Sequence, residues 1–92
     1  MPIERRRILY SGRVQGVGFR FISQRLAREF RVAGSVRNLA DGRVELIAQG
    51  DAEVVSSYLE AVSRELAEKI HTIQVEAEPV TDPHERDFAI RY

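Results

Sequence analysis

The feature that most constrains this chain is a change of hydrophobic period close to its start. Between Arg7 and Val14 the apolar positions Ile8, Tyr10 and Val14 share one parity, with Gly12 among them. A period of two is the mark of a strand with one buried face. From Phe19 the intervals become three, four and four residues, through Ile22, Leu26 and Phe30. That is an amphipathic helix, with Arg20, Gln24, Arg28 and Arg31 on its other faces. Gln15 to Gly18 follows neither period and holds two glycines, so it reads as a loop. The chain therefore has to run from a strand through a short glycine loop straight into a helix N-terminus.

The rest of the sequence fits round that unit. Val32-Ala33-Gly34 ends the helix, and Ser35 to Leu39 reads as a short strand. Ala40 to Arg43 contains Asp41-Gly42, a strong hairpin signal. Val44, Leu46 and Ala48 alternate as the next strand, up to Gly50. Asp51 is placed to cap a second helix, whose stripe is Val55, Tyr58/Leu59, Val62 and Leu66 and whose end falls between Ser63 and Lys69. Ile73, Val75 and Ala77 alternate as a strand, Pro79, Asp82 and Pro83 mark a loop, and Phe88, Ile90 and Tyr92 form a last short strand. Phe19, Phe21 and Phe30 are expected in the core, as are Tyr10 and Tyr58. The order predicts an α+β, ferredoxin-like (split βαβ) sandwich over residues 1–92, a single domain with two helices on one face of a mixed, mainly antiparallel sheet. That plan hosts unrelated tasks, so it does not by itself indicate a function.

Composition narrows the chemistry. The 92 residues suffice for one domain, and 43% are hydrophobic, as in an ordinary globular protein. There is no cysteine, which excludes a disulfide framework, a thiol nucleophile and any cysteine-based metal or redox site. No secretory signal and no long apolar run is evident, so the expected location is cytoplasmic. The net charge is zero but unevenly spread: residues 1–43 hold ten Arg against three acidic residues, and residues 44–92 hold four basic against eleven acidic ones. Two readings stand open: an anion-seeking N-terminal half, or a solvated surface whose halves neutralise each other. Thirteen of the fourteen basic residues are Arg, which agrees with oxyanion recognition and equally with codon usage. The run Arg5-Arg6-Arg7 reads as the wet start of the first strand.

Among residues that can do chemistry, the loop comes first. A helix N-terminus offers unpaired backbone N–H groups and a dipole that favours anions. Glycines at 16 and 18 let successive N–H groups curl into a nest, and Arg20 stands where its guanidinium can grip the same anion. The alternative is a plain structural turn. A third glycine for a dinucleotide fingerprint is missing, since Phe21 stands there, and no Gly-Lys-Ser/Thr of a nucleotide loop is present. Asn38, on the parity of Val36, would face the helix side, where a carboxamide can position a water; the bland reading is that it caps its own backbone. His71 and His84 lack metal-ligand spacing, and the serines Ser11, Ser23, Ser35, Ser56, Ser57 and Ser63 have no visible His/Asp arrangement. Glu76 and Glu78 share a strand face, expected in solvent.

The segment Ser11-Gly12-Arg13-Val14-Gln15-Gly16-Val17-Gly18-Phe19-Arg20 closely resembles the first signature of acylphosphatases. Gly34-Ser35-Val36-Arg37-Asn38, with Asp41-Gly42, Val44-Glu45 and Gln49-Gly50 after it, resembles the second, and Phe88 to Tyr92 resembles the family's ending. The resemblance implies hydrolysis of acyl phosphates to carboxylate and inorganic phosphate. It implies that the backbone of Gln15, Gly16, Val17, Gly18, Phe19 and Arg20, with the Arg20 side chain, holds the phosphate, and that Asn38 orients the attacking water. No metal or organic cofactor is implied. The partners implied are the small substrate and phosphate, with no nucleic acid, no membrane and a monomeric chain. Two departures stand out: Ser35 replaces a frequent aromatic residue, and Glu65-Leu66-Ala67-Glu68-Lys69 reads through as helix where a Gly-Pro break is common. Two competing readings remain. One is a phosphate-binding module of the same fold, as at the start of the hydrogenase-maturation carbamoyltransferases, whose zinc-finger and downstream domains this sequence lacks. The other is an RNA binder, for which Arg7 to Tyr10 and Val44 to Ile47 supply no aromatic at open-face positions.

Overall fold

The alternation at Ile8 and Tyr10 forms a strand, β1 (Ile3–Gly12), which begins well before Arg7. The reason lies in its neighbours. Arg5, Arg6 and Arg7 are interior strand residues with carboxylate partners: Arg5 with Glu78 at 3.4 Å, Arg6 with Glu4 at 2.6 Å, and Arg7 with Glu45 at 2.7 Å and Glu76 at 3.3 Å. The basic run is thus not a wet strand start. The computed structural model describes residues 2–16 and 18–92; Val17, expected in the phosphate loop, lies outside the described residues.

After β1 come α1 (Phe19–Phe30), β2 (Ala33–Asn38), β3 (Val44–Asp51), α2 (Ala52–Glu65), β4 (Ile70–Glu78) and β5 (Phe88–Arg91). The strands form one sheet in the order β4-β1-β3-β2-β5. Its pairs are antiparallel except β2–β5, which is parallel. Register makes the core readable. Val75, Ile8, Leu46, Val36 and Ile90 are successive cross-strand partners, so one apolar row crosses all five strands. Both helices lie over that face. Phe19, Leu26 and Ala27 from α1 and Val55, Tyr58 and Val62 from α2 complete the core. The Tyr58 hydroxyl donates to the Ser23 carbonyl at 2.9 Å and ties the helices together. Burial disfavours the phenolate forms of Tyr10 and Tyr58 and pushes their pKa values far above the ordinary tyrosine range. The fold is the expected ferredoxin-like one.

Two boundaries differ from expectation, and the end of α2 falls within its expected range. Arg31 takes a left-handed φ of 60° and the Val32 N–H turns back to the Ala27 carbonyl at 2.8 Å, so α1 stops at Phe30. Ala33 and Gly34 therefore belong already to β2. At the far end α2 stops at Glu65. Leu66, buried in the core, has its N–H on the Val62 carbonyl, and the chain then turns so that Lys69 donates to the Leu66 carbonyl. The expected read-through of helix to Lys69 does not occur. Asp51 does cap α2, accepting from the Glu53 N–H at 3.1 Å.

Phe21 is the residue most clearly misread as core. It is 64% exposed, whereas Phe19 is 2% exposed. Two helical residues subtend about 200° round the axis, so the two rings cannot share a face. None of the described helices is long and apolar enough to cross a membrane.

Candidate active site

The site grows out of the exit from β1. The Arg13 N–H donates to the Lys69 carbonyl at 2.9 Å, and Val14 drops fully into the core. The loop thus leaves from two fixed points. Gly16 and Gly18 follow with φ of 75° and 78°, both left-handed. A β-carbon at either would meet no atom within 4 Å, so conformation and not space demands glycine there. A side-chain-bearing residue costs about 1–2 kcal/mol in that region.

Gly18 is the N-cap of α1 and brings no capping side chain, and the first turn holds no acidic residue. The helical ladder starts with the Ile22 N–H on the Gly18 carbonyl at 3.0 Å. The N–H groups of Phe19, Arg20 and Phe21 find no acceptor among the described residues. Most helices satisfy such donors by a cap. Here they stay available, with the positive end of the helix dipole behind them.

Arg20 follows directly. Most arginines of the sheet are neutralised across strands: besides β1, Arg37 meets Glu45 at 2.8 Å. Arg25 on α1 meets Glu65 at 2.9 Å. Four arginines of the first half, Arg5, Arg7, Arg25 and Arg37, thus pair with acidic residues of the second. That pairing stops short of Arg20, which has no carboxylate partner among the described residues. Its guanidinium lies over the Tyr92 ring at 4.8 Å from the centroid. Such a stack supports the planar group and leaves its N–H edges free.

Asn38 closes the site from the other side. It is the last residue of β2, opposite Val44, and stands half-buried on the helix side of the sheet. Its carboxamide makes no hydrogen bond within the described residues, so it does not cap its own backbone. Val14, Gly16, Gly18, Phe19, Arg20, Phe21 and Asn38 together line a cleft of about 230 Å³. Glycine loop, helix terminus, arginine and asparagine are thus brought to one place.

Gln15 is placed differently. Its side chain turns away from the cleft and donates through Nε2 to the Leu39 carbonyl at 2.8 Å and the Arg43 carbonyl at 2.9 Å. Gln15 is not among the described residues that line the cleft. The side chain fastens the loop to the turn that follows Asn38. That staple, the exposed ring of Phe21 and the stack by Tyr92 have no counterpart in the sequence reading. The first and third join residues far apart in the chain, which local spacing does not reveal. Phe21 was open to recognition from helical phase. His71 and His84 lie exposed and away from the cleft, and no cluster of three or more metal-ligating side chains occurs among the described residues. A larger groove of about 570 Å³ runs between α2 and β4, lined by Leu59, Glu60, Ile73 and Val75 among others, but it has no helix terminus facing it.

Comparison with known proteins points one way. The family model described as acylphosphatase matches residues 6–90. An acylphosphatase of Bacillus subtilis is 41% identical over 87 residues, spanning 94% of each chain. The crystal structure of acylphosphatase from Bacillus subtilis superposes with a TM-score of 0.85 at 36% identity, over 97% of this chain and 99% of that one. HypF of T. kodakarensis contains a similar unit, with a TM-score of 0.83 at 27% identity, over 97% of this chain and 12% of that longer one.

Proposed function

The chain belongs to the acylphosphatase family, and we propose on that footing that it hydrolyses the carboxyl–phosphate bond of acyl phosphates by in-line attack of water at phosphorus. The observation that carries the mechanism is the cleft in which unsatisfied N–H groups of α1, the Arg20 side chain and the Asn38 carboxamide converge.

In this reaction the loop N–H groups from Gln15 to Arg20 and the Arg20 guanidinium donate to the equatorial phosphate oxygens. Phosphoryl transfer needs positioning and neutralisation of those oxygens more than covalent help. Donors fixed before the reaction supply both without reorganisation. The Asn38 side-chain carbonyl accepts from a water while its NH₂ donates to the phosphate, and the water is aimed at phosphorus. The water oxygen bonds to phosphorus as the bond to the acyl oxygen breaks, and the bonding pair leaves on the carboxylate. The water's proton passes to a phosphate oxygen. RCO–O–PO₃²⁻ and H₂O thus give RCOO⁻ and H₂PO₄⁻. A carboxylate is a weak base, so its departure needs no strong acid, and neither histidine is required. The reaction runs without metal, in a monomeric cytoplasmic protein.

The test is hydrolysis of benzoyl phosphate by purified protein in excess EDTA. Turnover that persists with chelator supports the mechanism. Abolition by EDTA with recovery on added metal refutes metal independence. Tight phosphate binding with no hydrolysis favours a binding module instead.

A further inference from the structure

The proposed mechanism gives no role to two of the cleft's lining residues, Val14, which is fully buried, and Phe21. Phe21 has its side chain 64% exposed at the cleft. A large aromatic ring left in water on a helix face otherwise carrying Arg20, Arg25 and Arg28 has no packing role. Phe19, the other ring in the cleft, is buried against Tyr10 at 4.9 Å between centroids and has no surface to offer. Tyr92 is not among the cleft's walls. Among the described residues that line the cleft, Phe21 is therefore the one accessible apolar surface.

An acyl phosphate has two parts. The phosphate is held by backbone N–H groups and Arg20. The acyl group has to lie at the mouth of the same cleft, since one bond joins it to the phosphoryl oxygen. Among the residues lining the cleft Arg20 is the only charged one, and it is engaged with the phosphate. A second carboxylate on the acyl chain finds no further cation among the described residues that line the cleft. A flat or bulky apolar acyl group finds a ring.

We propose that Phe21 is the acyl-side wall of the site and selects acyl phosphates with uncharged aromatic or bulky apolar acyl groups over short acyl or dicarboxylic ones. This rests on the hydrolytic reading above and names the substrate class it serves. Contact with an acyl group that persists from ground state to transition state acts as uniform binding, so its effect falls on KM and not on kcat.

The experiment compares wild-type protein with Phe21→Ala and Phe21→Leu. Steady-state rates are taken on benzoyl phosphate and acetyl phosphate, and binding of inorganic phosphate and of the non-hydrolysable benzoylphosphonate is measured by calorimetry. Phe21→Ala is expected to lower the benzoyl-to-acetyl ratio of kcat/KM by about 3- to 10-fold, the range of an aromatic contact, with the change in KM. The preference for benzoylphosphonate over phosphate falls by a similar factor, and Phe21→Leu lies between. An equal fall on both substrates, or an unmoved ratio, overturns the proposal. If wild-type protein hydrolyses neither substrate but binds benzoylphosphonate more tightly than phosphate in a Phe21-dependent way, the hydrolytic reading fails and the apolar wall stands. If it hydrolyses both with no dependence on Phe21, the wall alone fails.

Discussion

Replacing Gln15 by leucine removes the two hydrogen bonds that fasten the phosphate loop to the turn after Asn38, at 2.8 and 2.9 Å. Each is worth about 0.5–1.5 kcal/mol net, so about 1–3 kcal/mol is at stake. Both carbonyls keep a second donor: Leu39 receives the Gly42 N–H at 3.1 Å, and Arg43 receives the Leu39 N–H at 2.8 Å. Neither is left wholly unpaired, which places the loss in the lower half, about 1–2 kcal/mol. For a domain of this size that lowers Tm by about 4–16 °C. The kinetic effect is the sharper one. In the proposed mechanism the phosphate is held at the start of α1 and the water by Asn38 on β2, and the Gln15 hydrogen bonds link the two. A misplacement of about 1 Å can cost about 10²-fold in rate. Thermal unfolding, kcat on benzoyl phosphate and the inhibition constant for phosphate are measured together. The expected pattern is a lower Tm, kcat down about 10-fold or more, and phosphate inhibition within a few-fold of wild type. A lower Tm with kcat intact refutes the reasoning, because the staple would then serve the hairpin alone. A collapse of phosphate binding in step with kcat refutes it differently, by showing that Gln15 shapes the cradle itself.

Arg20→Ala should weaken phosphate inhibition and lower kcat together, each by about 10- to 10³-fold in inhibition and rate assays, because a charged donor to the phosphate is lost in both states. Asn38→Ala should lose turnover by about 10²-fold while phosphate still inhibits within a few-fold; full activity would remove its assigned role. Ser23 Oγ is fully buried with no partner among the described residues. Ser23→Ala should therefore stabilise by about 1 kcal/mol, read as a Tm raised by about 4–8 °C; a fall would mean that the hydroxyl is satisfied after all. Burial pushes the Glu45 carboxyl up, but hydrogen bonds from Arg7 and Arg37 outweigh it and hold it below the usual carboxylate value. Its stabilising contribution is complete above the unfolded pKa of about 4.3 and is lost as pH falls through the lower folded value. The Tm deficit of Glu45→Gln should thus be constant from pH 7 to about 5 and shrink in more acidic solution; a deficit that does not change with pH contradicts the pairing.

Hydrophobic period located nearly every element, because the residues that set it, such as Ile8, Leu46 and Val55, are those the sheet and helices bury. It failed at ends, where non-local partners decide. The charged run at Arg5 is strand because Glu78 and Glu76 stand across from it, which no window on residues 1–12 contains. Phe21 departs from the core expectation because its helical phase, about 200° from Phe19, turns the ring to solvent. The loop proposed as the cradle is legible in part for a physical reason: the turn into a helix start is set by local geometry, and Gly16 and Gly18 take the left-handed conformation it needs. The roles of Gln15 and Tyr92 are not, since each acts on a residue distant in sequence.

β1 has as sheet neighbours only β3 and β4, strands that come much later in the chain. The phosphate loop hangs from its end and is fastened by carbonyls at 39, 43 and 69. The loop is therefore made before the strands that hold it and cannot keep its shape until residues up to Glu78 have been joined. Non-local pairing of this kind slows folding relative to helical bundles. Phosphate affinity gained during refolding should accordingly appear late, with the closing of the whole sheet, and serves as a reporter of complete topology where helix content alone does not.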